Sequence, residues 1–77
     1  MKYIEELEVG DTFLSGQDNY IVTSDYRKNG SRSCVNLKTG FGKWMEANAV
    51  VDICPIYTLD QDNNIVAVKV TEKENAN

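Results

Sequence analysis

The sequence predicts an all-β fold, a small antiparallel barrel of five or six strands. Three observations lead there. Short runs rich in β-branched and aromatic residues recur at the roughly 8- to 12-residue spacing of sandwiches and barrels. Turn pairs containing glycine (Gly10-Asp11, Asn29-Gly30, Thr39-Gly40) supply the backbone freedom that short hairpins need. In a chain of 77 residues, closing the sheet on itself also removes the unpaired edges that an open sheet leaves.

The elements follow in order. Tyr3 to Val9 reads as a helical turn, with Ile4 and Leu7 three apart, or as an edge strand, with Leu7 and Val9 alternating. After the Gly10-Asp11 turn, Thr12-Phe13-Leu14 is strand-like, and Ser15 to Asn19 is turn chemistry. Tyr20 to Asp25 alternates, with Tyr20 and Val22 on one face and Ile21 and Thr23 on the other. Asn29-Gly30 marks a hairpin tip, and Ser33 to Leu37 is a strand expected to turn Val35 and Leu37 to the core. Phe41 to Met45 and Val50 to Cys54 are the next strands, joined through 46–49. Pro55 lacks an N–H and so marks an edge, a bulge or a bend. Ile56 to Leu59 and Ile65 to Val70 flank the loop Asp60-Gln61-Asp62-Asn63-Asn64 as a last hairpin. These strands and turns define one domain over residues 1–70, SH3-like or OB-like at this length. Residues 71–77 are polar without an apolar anchor and are expected to be a disordered tail.

Composition excludes several functions. The chain has no histidine, so acid–base chemistry near neutral pH would need a strongly perturbed carboxylate or lysine in a deep pocket. A domain this small has little room for one, and a non-enzymatic protein is expected. Cys34 and Cys54 sit in apolar runs without Cys-x-x-Cys spacing and read as small buried hydrophobes with free thiols. No metal and no cofactor is expected; the acidic loop from Asp60 lacks the glycine and distal glutamate of a calcium loop. The net charge of −4 opposes direct nucleic-acid binding, and no apolar run approaches the length that spans a membrane. Apolar residues on both faces of Tyr20 to Thr23 and Val50 to Cys54 exceed one small core, which points to a homo-oligomer, most simply a dimer.

Leu7-x-Val9-Gly10-Asp11-x-Phe13, Tyr20-x-Val22, Asn36-Leu37-x-Thr39-Gly40 and Trp44 together resemble the small β-barrel accessory proteins of unknown function in phages and mobile elements. The likeness covers about residues 3 to 53 and rests on turn and core positions. It implies a protein that binds and inhibits a host protein, or one that sequesters a signalling nucleotide used in host defence. It implies no catalytic residue. With no recognisable leader ahead of the first strand, the expected compartment is the cytoplasm, that of the host cell for a phage product.

One segment concentrates positive charge: Arg27-Lys28-Asn29-Gly30-Ser31-Arg32. Its backbone N–H groups and guanidiniums are suited to a phosphate, and Tyr26 beside it to stacking on a base. Trp44 is either a core wedge or an exposed anchor. Tyr26, Arg27, Lys28, Arg32 and Trp44 are therefore the candidate ligand-binding residues for a small phosphorylated ligand. The alternative is an inhibitor that meets a host protein through an apolar surface or an acidic one, the latter supplied by Glu5, Glu6, Glu8, Asp11 and Asp18.

Overall fold

Alternating apolar residues in the middle of the chain produce one antiparallel sheet. The computed structural model describes residues 1–69. Six strands pair in it: β1 (Lys2–Tyr3), β2 (Thr12–Ser15), β3 (Asp18–Tyr26), β4 (Arg32–Asn36), β5 (Gly42–Met45) and β6 (Val50–Ile53). β7 (Tyr57–Leu59) and β8 (Ile65–Ala67) form a separate hairpin. The N-terminal segment is both things its sequence allows, an edge strand followed by a 3-10 turn at Ile4–Glu6. Val70, read above as the end of the last strand, and the tail 71–77 lie outside the described residues.

The strand order is β1-β6-β2-β3-β4-β5, so β1 and β5 are free edges. The sheet is open, and the closed barrel expected from the sequence does not form among the described residues. β1 is only two residues long and pairs with β6 on one edge through Lys2↔Val51 and Tyr3↔Val50, and no ladder among these residues joins its other edge to β5. The sheet is nevertheless forced to coil. β5 and β6 stand four antiparallel steps apart, so they run the same way, yet only residues 46–49 join them. On a flat sheet four steps of about 4.8 Å would separate them by about 19 Å, before adding the length of a strand. The five links from Met45 to Val50 reach about 17 Å when fully extended. Strong curling closes that gap.

Curling gives the sheet an inner face, and the core lies there. Phe13, Tyr20, Val22, Cys34, Met45 and Val51 are buried, joined by Ile4 and Leu7 from the N-terminal segment. Phe13 and Tyr20 are cross-strand partners whose rings stack at 5.5 Å. Tyr20 and Val22 face inward, as their alternation predicts. Val35 and Leu37 do not: Cys34 pairs with Val22 and is fully buried, while Val35 is half-buried on the outer face and Leu37 is exposed. Register against β3 decides the parity of β4, and the small thiol fits the inner position.

Two turns explain their glycines. Ser15 pairs with Asp18, so β2 and β3 are joined by two residues, a tighter turn than the five-residue loop read from the sequence. Gly16 at φ +66° takes the first central place, where a left-handed backbone is needed. Gly30 has φ +91°, and a Cβ built on it would lie 2.9 Å from the Ala47 Cβ. The β3–β4 tip thus lies directly against the 46–49 connection. That connection is pinned from its other side, where Ile4 and Glu5 N–H groups donate to the carbonyls of Ala49 (2.9 Å) and Ala47 (3.0 Å).

The β7–β8 hairpin is fastened at its base. The Cys54 N–H donates to the Thr12 carbonyl (3.0 Å), and Thr12 Oγ1 donates to the Cys54 carbonyl (2.7 Å). After β8, Lys69 Nζ donates to Asp11 (2.6 Å) and Glu8 (3.0 Å). Partial burial pushes the Asp11 carboxyl up, but the Lys69 ammonium and the Glu8 N–H outweigh it and hold it below its ordinary 3.8. The same hydrogen bonds, from Asp11 first, raise the Lys69 ammonium above 10.5.

Two outcomes follow from this packing. Gly30→Ala should cost about 2 kcal/mol or more, through both the left-handed backbone and the Ala47 contact, whereas Gly16→Ala, with open space around it, should cost about 1 kcal/mol. Urea unfolding of the two variants checks the order. The Lys69 clasp stabilises the fold above the ordinary carboxylate range and below the ordinary lysine value. Its contribution is lost as pH falls through the depressed Asp11 value, and again as pH rises through the elevated Lys69 value. Lys69→Met should flatten both limbs of a melting-temperature profile against pH and cost about 1 kcal/mol near neutrality, the size expected of a part-buried surface pair.

Candidate functional site

The Asn29-Gly30 turn builds its tip from its own backbone. The Arg27 N–H donates to the Ser31 carbonyl (2.9 Å), and the Gly30 N–H donates to the Arg27 carbonyl (2.9 Å). The Ser31 N–H donates to Asn29 Oδ1 (3.0 Å). These three N–H groups are occupied inside the loop, so the tip offers less of a phosphate nest than its composition promises.

Strand parity then divides the candidate side chains. Arg32 pairs with Met45 and stands two residues from Cys34 on β4, which places it on the inner face. Its Nη2 donates to the Leu7 carbonyl at 2.9 Å and ties β4 to the N-terminal segment. Trp44 pairs with Ser33 and belongs to the outer face. It is 42% exposed, so it is a surface residue and not a core wedge. Arg32 and Trp44 cannot share a site. Arg27 can: its guanidinium carbon lies over the Trp44 ring, 4.0 Å from the centroid, a cation–π contact. Tyr26 and Lys28 are exposed beside them.

Arg27 and Trp44 border an open depression of about 550 Å³ between the tip and the β5–β6 connection. Asn29 and Ser31 line it from the tip, and Glu46, Ala47 and Asn48 from the connection. Arg27 is the one cation of this lining and Glu46 the one carboxylate, and among the described residues neither is ion-paired. Glu46, Ala47 and Asn48 were read from the sequence only as a linker. The available signal was alternation, since Glu46 follows Trp44 by two and so shares its face.

A second surface lies on the hairpin. Tyr57 pairs with Ala67 and Leu59 with Ile65, so these four side chains share one face. Tyr57 and Leu59 are each 59% exposed and Ile65 is 75% exposed. The loop between the strands is shaped by Asp60, whose Oδ1 accepts the N–H groups of Asp62 (2.8 Å) and Asn64 (2.9 Å). These bonds, the Asn64 N–H first, hold the Asp60 carboxyl below its ordinary value. These hydrogen bonds account for the shape of the loop as a turn.

Both cysteines are free thiols. Burial pushes the Cys34 thiol up to about 11, against the pull of Arg32 and Lys43, and leaves it unreactive near neutral pH. Among the described residues no helix is long and apolar enough to cross a membrane. Comparison with protein-family models, with curated proteins and with solved structures finds no match to this chain.

The two arginines should separate cleanly by substitution. Arg32→Ala leaves the Leu7 carbonyl without its donor and should cost about 1–3 kcal/mol in urea unfolding. Arg27→Ala should cost no more than about 0.5 kcal/mol, as an exposed change, while shifting Trp44 fluorescence because the ring loses its cover.

Proposed function

We propose that the protein is a non-enzymatic docking module that binds and inhibits a partner protein through the apolar face of the β7–β8 hairpin. The observation that supports this reading is the exposed row Tyr57, Leu59 and Ile65 on a hairpin that adds no residue to the core. A lone two-stranded hairpin is marginal in water, and a partner that covers its apolar face offsets that weakness. Charge indicates the kind of partner. From Pro55 to Val68 the chain has two aspartates, Asp60 and Asp62, and no lysine or arginine, on a protein of net charge −4. The complementary surface is an apolar patch rimmed by lysine and arginine. The resemblance to phage accessory proteins agrees with a host protein as that partner, and in fold terms we read the coiled open sheet as SH3-like. The nucleotide-capture reading is the weaker one, because of Arg27, Lys28 and Arg32 only Arg27 reaches the depression and Glu46 shares it.

Leu59→Asp together with Ile65→Asp tests the docking face. Both positions are exposed, so the melting temperature should stay within about 2 °C. Affinity for the partner isolated with tagged wild type from the cells that express it should fall roughly 30-fold or more. Retention of the partner by the variant, or a wild type that isolates alone, overturns the reading.

A further inference from the structure

The depression beneath Arg27 is not used by the docking hairpin, and its chemistry differs from that of a phosphate site. We propose that it binds a small zwitterion, a ligand with one carboxylate and one ammonium group, of the size of an amino acid or a dipeptide. This site stands independently of the docking reading.

Four observations carry the assignment. The Arg27 guanidinium carbon lies over the Trp44 ring, 4.0 Å from its centroid, and its N–H groups have no hydrogen-bond or ion-pair partner among the described residues. A planar carboxylate takes a guanidinium edge in two parallel hydrogen bonds. Glu46 lines the same depression without an ion pair among the described residues. Glu46 offsets the attraction of Arg27 for a dianion such as phosphate and adds an attraction for an ammonium group. Asn48 adds an amide that has no hydrogen bond among the described residues and offers a donor and an acceptor to the groups between. The frame is fixed in advance: Gly30 abuts Ala47, and the Glu5 N–H holds the Ala47 carbonyl at 3.0 Å. Little ordering is left for the ligand to impose. Stacking of a nucleobase is disfavoured, because Arg27 already occupies a face of the indole.

The separation of the two charges in the ligand is read by a series. Glycine, β-alanine, γ-aminobutyrate and ε-aminocaproate are titrated into the full chain, followed by Trp44 fluorescence and backbone amide spectra, beside acetate, methylamine and inorganic phosphate. The expected result is that one member of the series binds at least about tenfold more tightly than each of the three single-charge probes. Arg27→Gln and Glu46→Gln should each weaken that binding about tenfold or more, and Lys28→Gln, outside the lining, should leave it unchanged. Unaltered amide dispersion shows that the variants fold, as expected for exposed positions. Tighter binding of phosphate, binding by none of the series, or equal binding by wild type and the two site variants overturns the proposal.

Discussion

Everything in this molecule depends on four residues being too short a bridge. Residues 46–49 join strands four places apart in the sheet order, and the join exists only if the sheet coils. Coiling creates the inner face on which Phe13, Tyr20, Val22 and Cys34 are sealed. It draws the connection across the β3–β4 tip, so that Gly30 meets Ala47, and its carbonyls receive the N–H groups of Ile4 and Glu5. The N-terminal turn that lids the core is thereby held by the same few residues that hold the sheet curled. The depression under Arg27 is a product of that topology, a space left where a hairpin tip and a short bridge are pressed together.

Alternation along strands acts as the second organiser. It splits a sequence cluster that looks like one site into two roles. Arg32 looks inward and is used to tether the Leu7 carbonyl, while Trp44 looks outward and is covered by Arg27. The charge that was continuous in sequence is divided in space. What lines the depression is a balanced pair, Arg27 and Glu46, while Lys28 stands exposed outside it.

Much of the fold was legible in the residues, and the reasons are local. Tyr20 and Val22 alternate in the regular half of a long strand, ahead of the register shift between Val22 and Tyr26, and Asp60 to Asn64 can only be a turn between two apolar runs. Ile4 and Leu7, three apart, are both buried as a helical turn requires. Closure of the barrel was not legible, because it requires a ladder between the two end strands, and strand pairing across the whole chain is not written in local alternation. The parity of β4 was misread for a related reason. Val35 and Leu37 outweigh Cys34 in hydrophobicity, but pairing with Val22 sets the register, and Arg32 can occupy an inner position because its long stem reaches a carbonyl. Of the site, Arg27 and Trp44 were legible as types. Glu46 and Asn48 were not, since a linker shows its contacts only once the sheet is curled.

The last feature with a wider consequence is the division of labour along the chain. Among the described residues every core residue falls between Ile4 and Val51, and the hydrogen bonds that fasten the hairpin beyond Pro55 to the sheet are at Thr12, Asp11 and Glu8. Substitutions on the hairpin face are therefore invisible to the core. The sequence of that exposed face is thus free to vary while the scaffold that presents it stays the same.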